Sequence, residues 1–210
     1  MVNAVTYIGF VQDHSGSMMS NANLAISNFN EQRATLLKED DDTMDNLVTI
    51  IEFDDQIHCN VENMPISEIK EMENWWCGGM TALYDAIGNC INTIRIKMDA
   101  DKREDKAALL VIQTDGMENA STDYAGEEGR QKIRKLINKL EDTGKWSFVF
   151  LGQNIDKEVA ASMGFSVNNT MSHSTREVRY AYSVTTDSLK KFIGARKIGK
   201  KQTKNFYKVS

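Results

Sequence analysis

Apolar positions along the chain follow two different periods. Ala4–Val11 (AVTYIGFV), residues 46–53 (NLVTIIEF), 106–114 (KAALLVIQT) and 146–152 (WSFVFLG) are nearly continuous apolar runs. They are rich in β-branched and aromatic residues, as strands buried on both faces require. Between them the spacing becomes helical. Ala22, Ala25, Ile26, Phe29 and Leu36 mark a helix over 21–37. Leu83, Ala86, Ile87, Cys90, Ile91, Ile94 and Met98 give the strongest period, over 82–98, and Ile133, Leu136, Ile137 and Leu140 give a third helix ending near Gly144. Asp54-Asp55 is a tight turn after which QIHCNV (56–61) returns as an antiparallel neighbour, and Pro65 marks a loop beyond it. A short helix (155–163), a short strand FSVN and a last helix from about Ser174 to Ile193 follow, with TTDS as a candidate interruption.

Strands that alternate with helices of ten or more residues need crossover connections. The pattern therefore predicts an α/β fold, a doubly wound and mostly parallel sheet with helices on both faces and one short antiparallel edge strand. A chain of 210 residues supports one sizeable core. No repeat or linker precedes residue 194, so a single domain is expected over 1–193, with a basic C-terminal tail over 194–210.

Charge changes that picture in one respect. Eight of the 25 Lys and Arg lie from Lys190 onward with no acid among them, which leaves 17 against 30 acidic groups, or −13, in residues 1–189. An acidic body repels nucleic acid and accepts a divalent cation, while the tail is expected as a solvated end or a contact for phosphates. The first residues lack a basic n-region, no apolar run approaches the ~18 residues of a membrane span, and Cys59, Cys77 and Cys90 form no CxxC pair. A reduced, cytoplasmic protein without a membrane partner is expected.

In a doubly wound sheet, ligands bind beyond the carboxyl ends of the strands, where strand order reverses. Asp13-His14-Ser15-Gly16-Ser17 follows the first strand, Thr114-Asp115-Gly116 follows the third long run, and WWCGGMT ends at Thr81 before the most periodic helix. Together these loops offer two carboxylates and three hydroxyls. Such hard oxygens suit Mg²⁺, Mn²⁺ or Ca²⁺ rather than Zn²⁺ or Cu. Gly16 is expected to let the backbone curl around the ion. Each feature also has an ordinary reading: Ser15 and Ser17 as helix caps, Asp115-Gly116 as a turn, Thr81 as an N-cap. One metal site explains all three loops at once.

The set Asp13-x-Ser15-x-Ser17, Thr81 in GGMTALYDAIG and Asp115 in TDG resembles the metal-ion-dependent adhesion site of von Willebrand factor A domains, over roughly residues 4–193. TALYDAIG, TDGMENAS and WSFVFLGQNID are similar to small single-domain members encoded in bacterial and phage genomes. The resemblance implies a Rossmann-like fold in which Asp13, Ser15, Ser17, Thr81 and Asp115 hold Mg²⁺ (or Mn²⁺, ahead of Ca²⁺). It also implies a protein partner that contacts the metal through an Asp or Glu, with no catalysis. His14, Trp75, Trp76 and Glu118 are expected to rim the site, and Asp85 to cap or to support the ligands.

Two other functions compete. A metal-dependent, phosphatase-like hydrolase lacks a second acid two positions after Asp13. Ser15 as a nucleophile lacks both a His–Asp set and a G-x-S-x-G elbow, and the first loop is no G-x-G-x-x-G. A nucleic-acid contact through the tail conflicts with the acidic body.

Overall fold

The computed structural model describes residues 4–155 and 157–208. Its strands are β1 (Ala4–Asp13), β2 (Met44–Phe53), β3 (Ile57–Pro65), β4 (Asp105–Thr114), β5 (Trp146–Gln153) and β6 (Thr170–His173). They form one sheet in the order β3-β2-β1-β4-β5-β6. All neighbours run parallel except β3, which pairs antiparallel with β2 at the edge. From β1 the chain moves outward through β2 and β3; from β4 it moves the other way through β5 and β6. The switch point therefore lies between β1 and β4, whose carboxyl ends carry Asp13 and Thr114.

The helices are α1 (Ala22–Glu39), α2 (Leu83–Ala100), α3 (Gly126–Glu141), α4 (Lys157–Ser162) and α5 (Val178–Lys197). Period-two alternation along β1 decides which of them meets which residue. Val5, Tyr7 and Val11 join the core beneath α2 and α3, with Ile87, Ile91, Ile94, Ile133 and Ile137. Ile8 and Phe10 point to the other face and pack against Phe29 of α1 and Leu189, Phe192 and Ile193 of α5. Gly9 sits where α2 comes closest. A Cβ there would lie 2.6 Å from Cys90 Sγ and 3.0 Å from Ile94 Cδ1, so the absence of a side chain sets the helix–sheet distance.

The structure differs from the pattern-based expectations in four places. The run FSVN is not a strand. Phe165 drops into the core beside Phe148 and Phe150, residues 167–169 form a 3-10 turn, and pairing with β5 begins only at Thr170. The edge strand extends to Pro65 instead of stopping at Val61, because proline's missing N–H is harmless on the outer strand. The last helix runs unbroken through TTDS. The Thr185 hydroxyl donates to Ala181 O at 2.8 Å, and Thr186 and Ser188 are buried, so packing overrides weak propensity.

The fourth difference concerns the basic end, which is built into the domain instead of trailing from it. Helix α5 continues to Lys197, and Arg196 is fully buried, donating to Thr6 Oγ1 and Val5 O and pairing with Asp105. Lys197 pairs with Asp41 and Glu39, Lys201 with Asp105, and Lys204 with Glu141. Phe206 is buried, its N–H held by Asn169 Oδ1 at 2.8 Å. The segment's charge thus offsets the acidic body from within.

Gly9→Ala is expected to destabilise the fold by about 1–3 kcal/mol through overpacking against Cys90. Adding Cys90→Ala should recover part of the loss, because it removes the sulfur that the new methyl would meet most closely. Urea denaturation of the two single variants and the double variant gives the coupling; purely additive losses would show that Gly9 is not set by this contact.

Candidate functional site

Asp13 closes β1 and is fully buried. Its carboxylate accepts the backbone N–H of Ser15 at Oδ1 (2.7 Å) and the hydroxyl of Thr114 at Oδ2. Thr114 is the last residue of β4, so the two strands beside the switch point are tied by this contact. The Ser15 and Ser17 hydroxyls lie 3.1 Å apart, and Ser17 donates to Asp115 Oδ1 at 2.5 Å. A Cβ on Gly116 would lie 3.0 Å from Thr81 Oγ1 and 3.6 Å from Ser17 Oγ. Residues separated by about one hundred positions in sequence therefore bring their oxygens to one place.

Main-chain bonds lock the three loops together. Gly78 N–H donates to His14 O (2.9 Å), Gly16 N–H to Gly79 O (3.4 Å), and Asn119 N–H to Thr81 O (3.0 Å). Gly79 adopts φ +61°, and a Cβ there would collide with Asp55 Oδ1 at 2.1 Å. This is the position in the loop where only glycine fits. Gly16, by contrast, is absent from the left-handed region; its role is the close approach to Gly79 and not a special curl.

The electrostatics are one-sided. Burial raises the Asp13 pKa and the nearby Asp115 raises it further, while the bonds from Ser15 and Thr114 oppose the shift. Residues 13–21, 74–82 and 114–125 contain no Lys or Arg. Among the described residues no group of three or more His, Cys, Asp and Glu side chains is placed to hold a metal, so any cation here would depend on hydroxyls beside the two carboxylates. Two carboxylates and three hydroxyls, converging without a positive partner, are a donor set that fits a hard divalent cation.

The ordinary readings of these residues fare differently. Neither Ser15 nor Asn21 caps a helix with its side chain. Thr81 is not the N-cap of α2 either: Ala82 holds that position with no side-chain bond, and Thr81's own N–H goes to Asn119 Oδ1 at 2.8 Å. The orphan N–H groups of α2 are met from the third loop. Glu118 accepts from Tyr84 N (2.9 Å) as well as from Ala120 N, Ser121 N and Ser121 Oγ, and Ser121 Oγ accepts from Asp85 N. Asp85 in turn holds the N–H groups of Thr122, Asp123 and Tyr124. Glu118 and Asp85 therefore shape the third loop from within it.

The aromatic rim is likewise rearranged. His14 is fully buried and stacked on Trp75, with ring centroids 4.1 Å apart and planes 6° apart, because a flat pair of rings buries more apolar area than either would at the surface. Trp75 is itself buried. Trp76 alone stands partly out, its indole N–H on Glu52 Oε2 at 3.1 Å. His14 Nδ1 faces Trp76 O at 2.9 Å, its Nε2 has no partner among the described residues, and burial holds its pKa down to about 4. The hydroxyls of Ser15 and Ser17 contact each other and Asp115, not this imidazole.

Sequence spacing places Thr114 in a site loop and Asn119 at the rim or in a turn, but marks neither their hydrogen bonds to Asp13 and Thr81 nor the support behind them. Gln113 Nε2 donates to Tyr182 OH (2.6 Å), and Asn28 Nδ2 donates to Gln113 Oε1 (3.0 Å), which ties β4 to α5 and α1. The available signal was the polar pair Gln113-Thr114 closing an otherwise apolar run.

No protein-family profile and no curated protein sequence matches the chain. Solved structures do match its fold. Proximal thread matrix protein 1 from the mussel byssus, in a structure whose metal-ion-dependent adhesion motif is occupied by zinc, is 14% identical with a TM-score of 0.56 over 89% of this chain and 47% of that one. A von Willebrand factor type A protein from Catenulispora acidiphila is 12% identical (TM-score 0.58; 91% and 43%), and the PilB minor pilin from Streptococcus sanguinis is 13% identical (TM-score 0.61; 91% and 61%). The chain spans about half the length of the first of these. Its fold is that of a von Willebrand factor A-type domain.

Asp13 isolates a pH effect. With chelator present, a carboxyl whose folded pKa lies above its unfolded value, about 4, binds its proton more tightly when folded. Its stabilising contribution is then lost as pH rises through the folded value. Wild type in EDTA is expected to lose stability relative to Asp13→Asn as pH rises from about 4, and urea midpoints across pH 4–8 check this. Parallel curves would show that Asp13 is not held against its charge.

Proposed function

We propose that this chain is a cation-dependent protein-binding module. Asp13, Ser15, Ser17, Thr81 and Asp115 hold one Mg²⁺ or Mn²⁺, directly or through water, and a carboxylate of a partner protein completes the coordination. The observation that carries this reading is the fully buried Asp13 carboxylate, with no Lys or Arg in the three loops and a second carboxylate, Asp115, linked to it through Ser17 and Ser15. A buried carboxylate of that kind is costly to keep charged without a compensating cation, so a bound cation would relieve the burial that raises its pKa. The zinc-occupied adhesion motif of the mussel protein supports divalent occupancy of such loops; the all-oxygen donor set here favours Mg²⁺ or Mn²⁺.

The cation, when bound, supplies a Lewis-acidic position for an anionic oxygen. The chain's own residues do the rest. Asp13 is held by Ser15 N–H and Thr114 so that its lone pairs are aimed before a ligand arrives. Ser15 and Ser17 add oxygens without adding charge, which leaves the pair of aspartates matched to one divalent ion. Binding is favoured over catalysis because neither serine has an imidazole base: the nearest imidazole is buried, neutral and turned to Trp76 O, and the carboxylate that Ser17 meets is one of the proposed cation ligands. Among the described residues no helix is long and apolar enough to cross a membrane, and the three cysteines are unpaired. Free thiols fit a reducing compartment such as the cytoplasm.

Mg²⁺ at about 100 times its dissociation constant should stabilise the wild type by about 2.7 kcal/mol, read as a rise in Tm; Asp13→Ala and Asp115→Ala should lose the rise. Immobilised wild type should release in EDTA proteins that immobilised Asp13→Ala never retains. A Tm indifferent to Mg²⁺ and Mn²⁺ would refute the cation site.

A further inference from the structure

Eight large apolar side chains stand exposed among the described residues, and four of them belong to the three site loops. Met19 (70% exposed) lies two residues after Ser17, Met80 (55%) directly before Thr81, Met117 (65%) two residues after Asp115, and Trp76 (38%) lies in the same loop as Thr81. The bonds between Gly78 and His14, Gly16 and Gly79, and Asn119 and Thr81 hold these loops side by side. The four residues thus belong to segments that meet at one small polar centre. Scattered exposed apolar residues need no explanation, but a set gathered around a site marks an interaction surface.

The members differ in a useful way. Trp76 is fixed: its indole is bonded to Glu52, and its ring lies over His14 (4.5 Å, 37°) and against the edge of His58 (5.3 Å, 89°). A large side chain immobilised in advance loses little entropy on binding. The three methionines are unbranched and polarizable, and adapt to varied apolar shapes.

Charge narrows the occupant further. Asp13, Asp115, Glu118 and Asp123 lie in the loops, and Asp54 and Asp55 press against Gly79 from the β2–β3 turn, with no Lys or Arg in any of these segments. One bound divalent ion offsets only part of that charge. A second acid on the partner would meet unscreened carboxylates at short range, whereas apolar groups would meet the methionines.

We infer that Met19, Trp76, Met80 and Met117 form an apolar collar, and that the partner is a protein segment presenting a single carboxylate flanked by aliphatic or aromatic side chains, not an acidic run. This rests on the cation site proposed above and adds the partner's chemistry to it. The test is selection from a displayed library of twelve-residue peptides with one fixed central Asp, in Mg²⁺, against wild type and against Met19→Ser/Met80→Ser/Met117→Ser. These positions are exposed, so the variant should keep the wild-type Tm and its rise with Mg²⁺. Enriched peptides should carry apolar residues within two positions of the Asp and be depleted in further Asp and Glu, and should bind the triple variant at least tenfold more weakly. Enrichment without apolar neighbours, a preference for acidic runs, undiminished binding to the triple variant, or no enrichment at all would each overturn the collar. The two readings separate cleanly. Binding lost in EDTA but not in the triple variant leaves the cation site without the collar; binding lost in the triple variant but not in EDTA leaves an apolar surface without the cation site.

Discussion

Burial of the Asp13 carboxylate at the end of the central strand is the constraint around which the upper half of the molecule is arranged. The carboxylate lies at the boundary between β1 and β4, where strand order reverses and two crossovers leave in opposite directions. No loop of ordinary composition would be stable there with a charge beneath it. Ser15 N–H and Thr114 meet its oxygens, the Ser15 and Ser17 hydroxyls continue the chain of contacts to Asp115, and the GGMT loop closes over it through main-chain bonds to His14 and Gly16. These contacts come from three separate segments, so the loops hold one another as a consequence of holding one carboxylate.

Beneath this arrangement the fold is stiff for ordinary reasons. β1 and β4 are buried on both faces, α2 packs on the sheet at Gly9 with no room for a Cβ, and α5 is anchored by Arg196 reaching the start of β1. The anchoring explains the charge asymmetry of the sequence. Basic residues concentrated after Lys190 pair with Glu39, Asp41, Asp105 and Glu141, which belong to the ends of four different elements or their flanks. The carboxyl-end loops receive none of them. The molecule therefore keeps one end compensated and leaves the acids of the other end without basic partners.

The aromatic layer under the loops separates support from contact. His14 and Trp75 stack in the interior and fix the height of the first loop; Trp76 shares their packing but shows one edge. Glu118, which resembles a rim acid in sequence, spends its lone pairs on N–H groups at the start of α2 and in its own loop. What faces outward instead is a set of methionines, and these give the surface an apolar character that its composition of acids would not suggest.

The sequence by itself determined the alternation of buried strands and amphipathic helices, because burial on both faces and a 3.6-residue period each leave a direct imprint on residue order. It also determined which loops lie at the switch point, since Asp13, Thr81 and Asp115 follow apolar runs or precede a helix in the way such a fold requires. The tertiary structure decided what depends on neighbours distant in the chain. FSVN gives way to a turn because Phe165 finds a pocket beside Phe148 and Phe150, and TTDS stays helical because the Thr185 hydroxyl bonds Ala181 O and the flanking Tyr182 and Leu189 pack into the core. Thr114 and Asn119 become part of the site only because β1 and β4 are adjacent and the third loop folds back on Thr81. Whether His14 or Glu118 meets solvent likewise turns on packing and hydrogen bonds across about sixty and thirty-five positions, distances over which spacing along the chain carries no information.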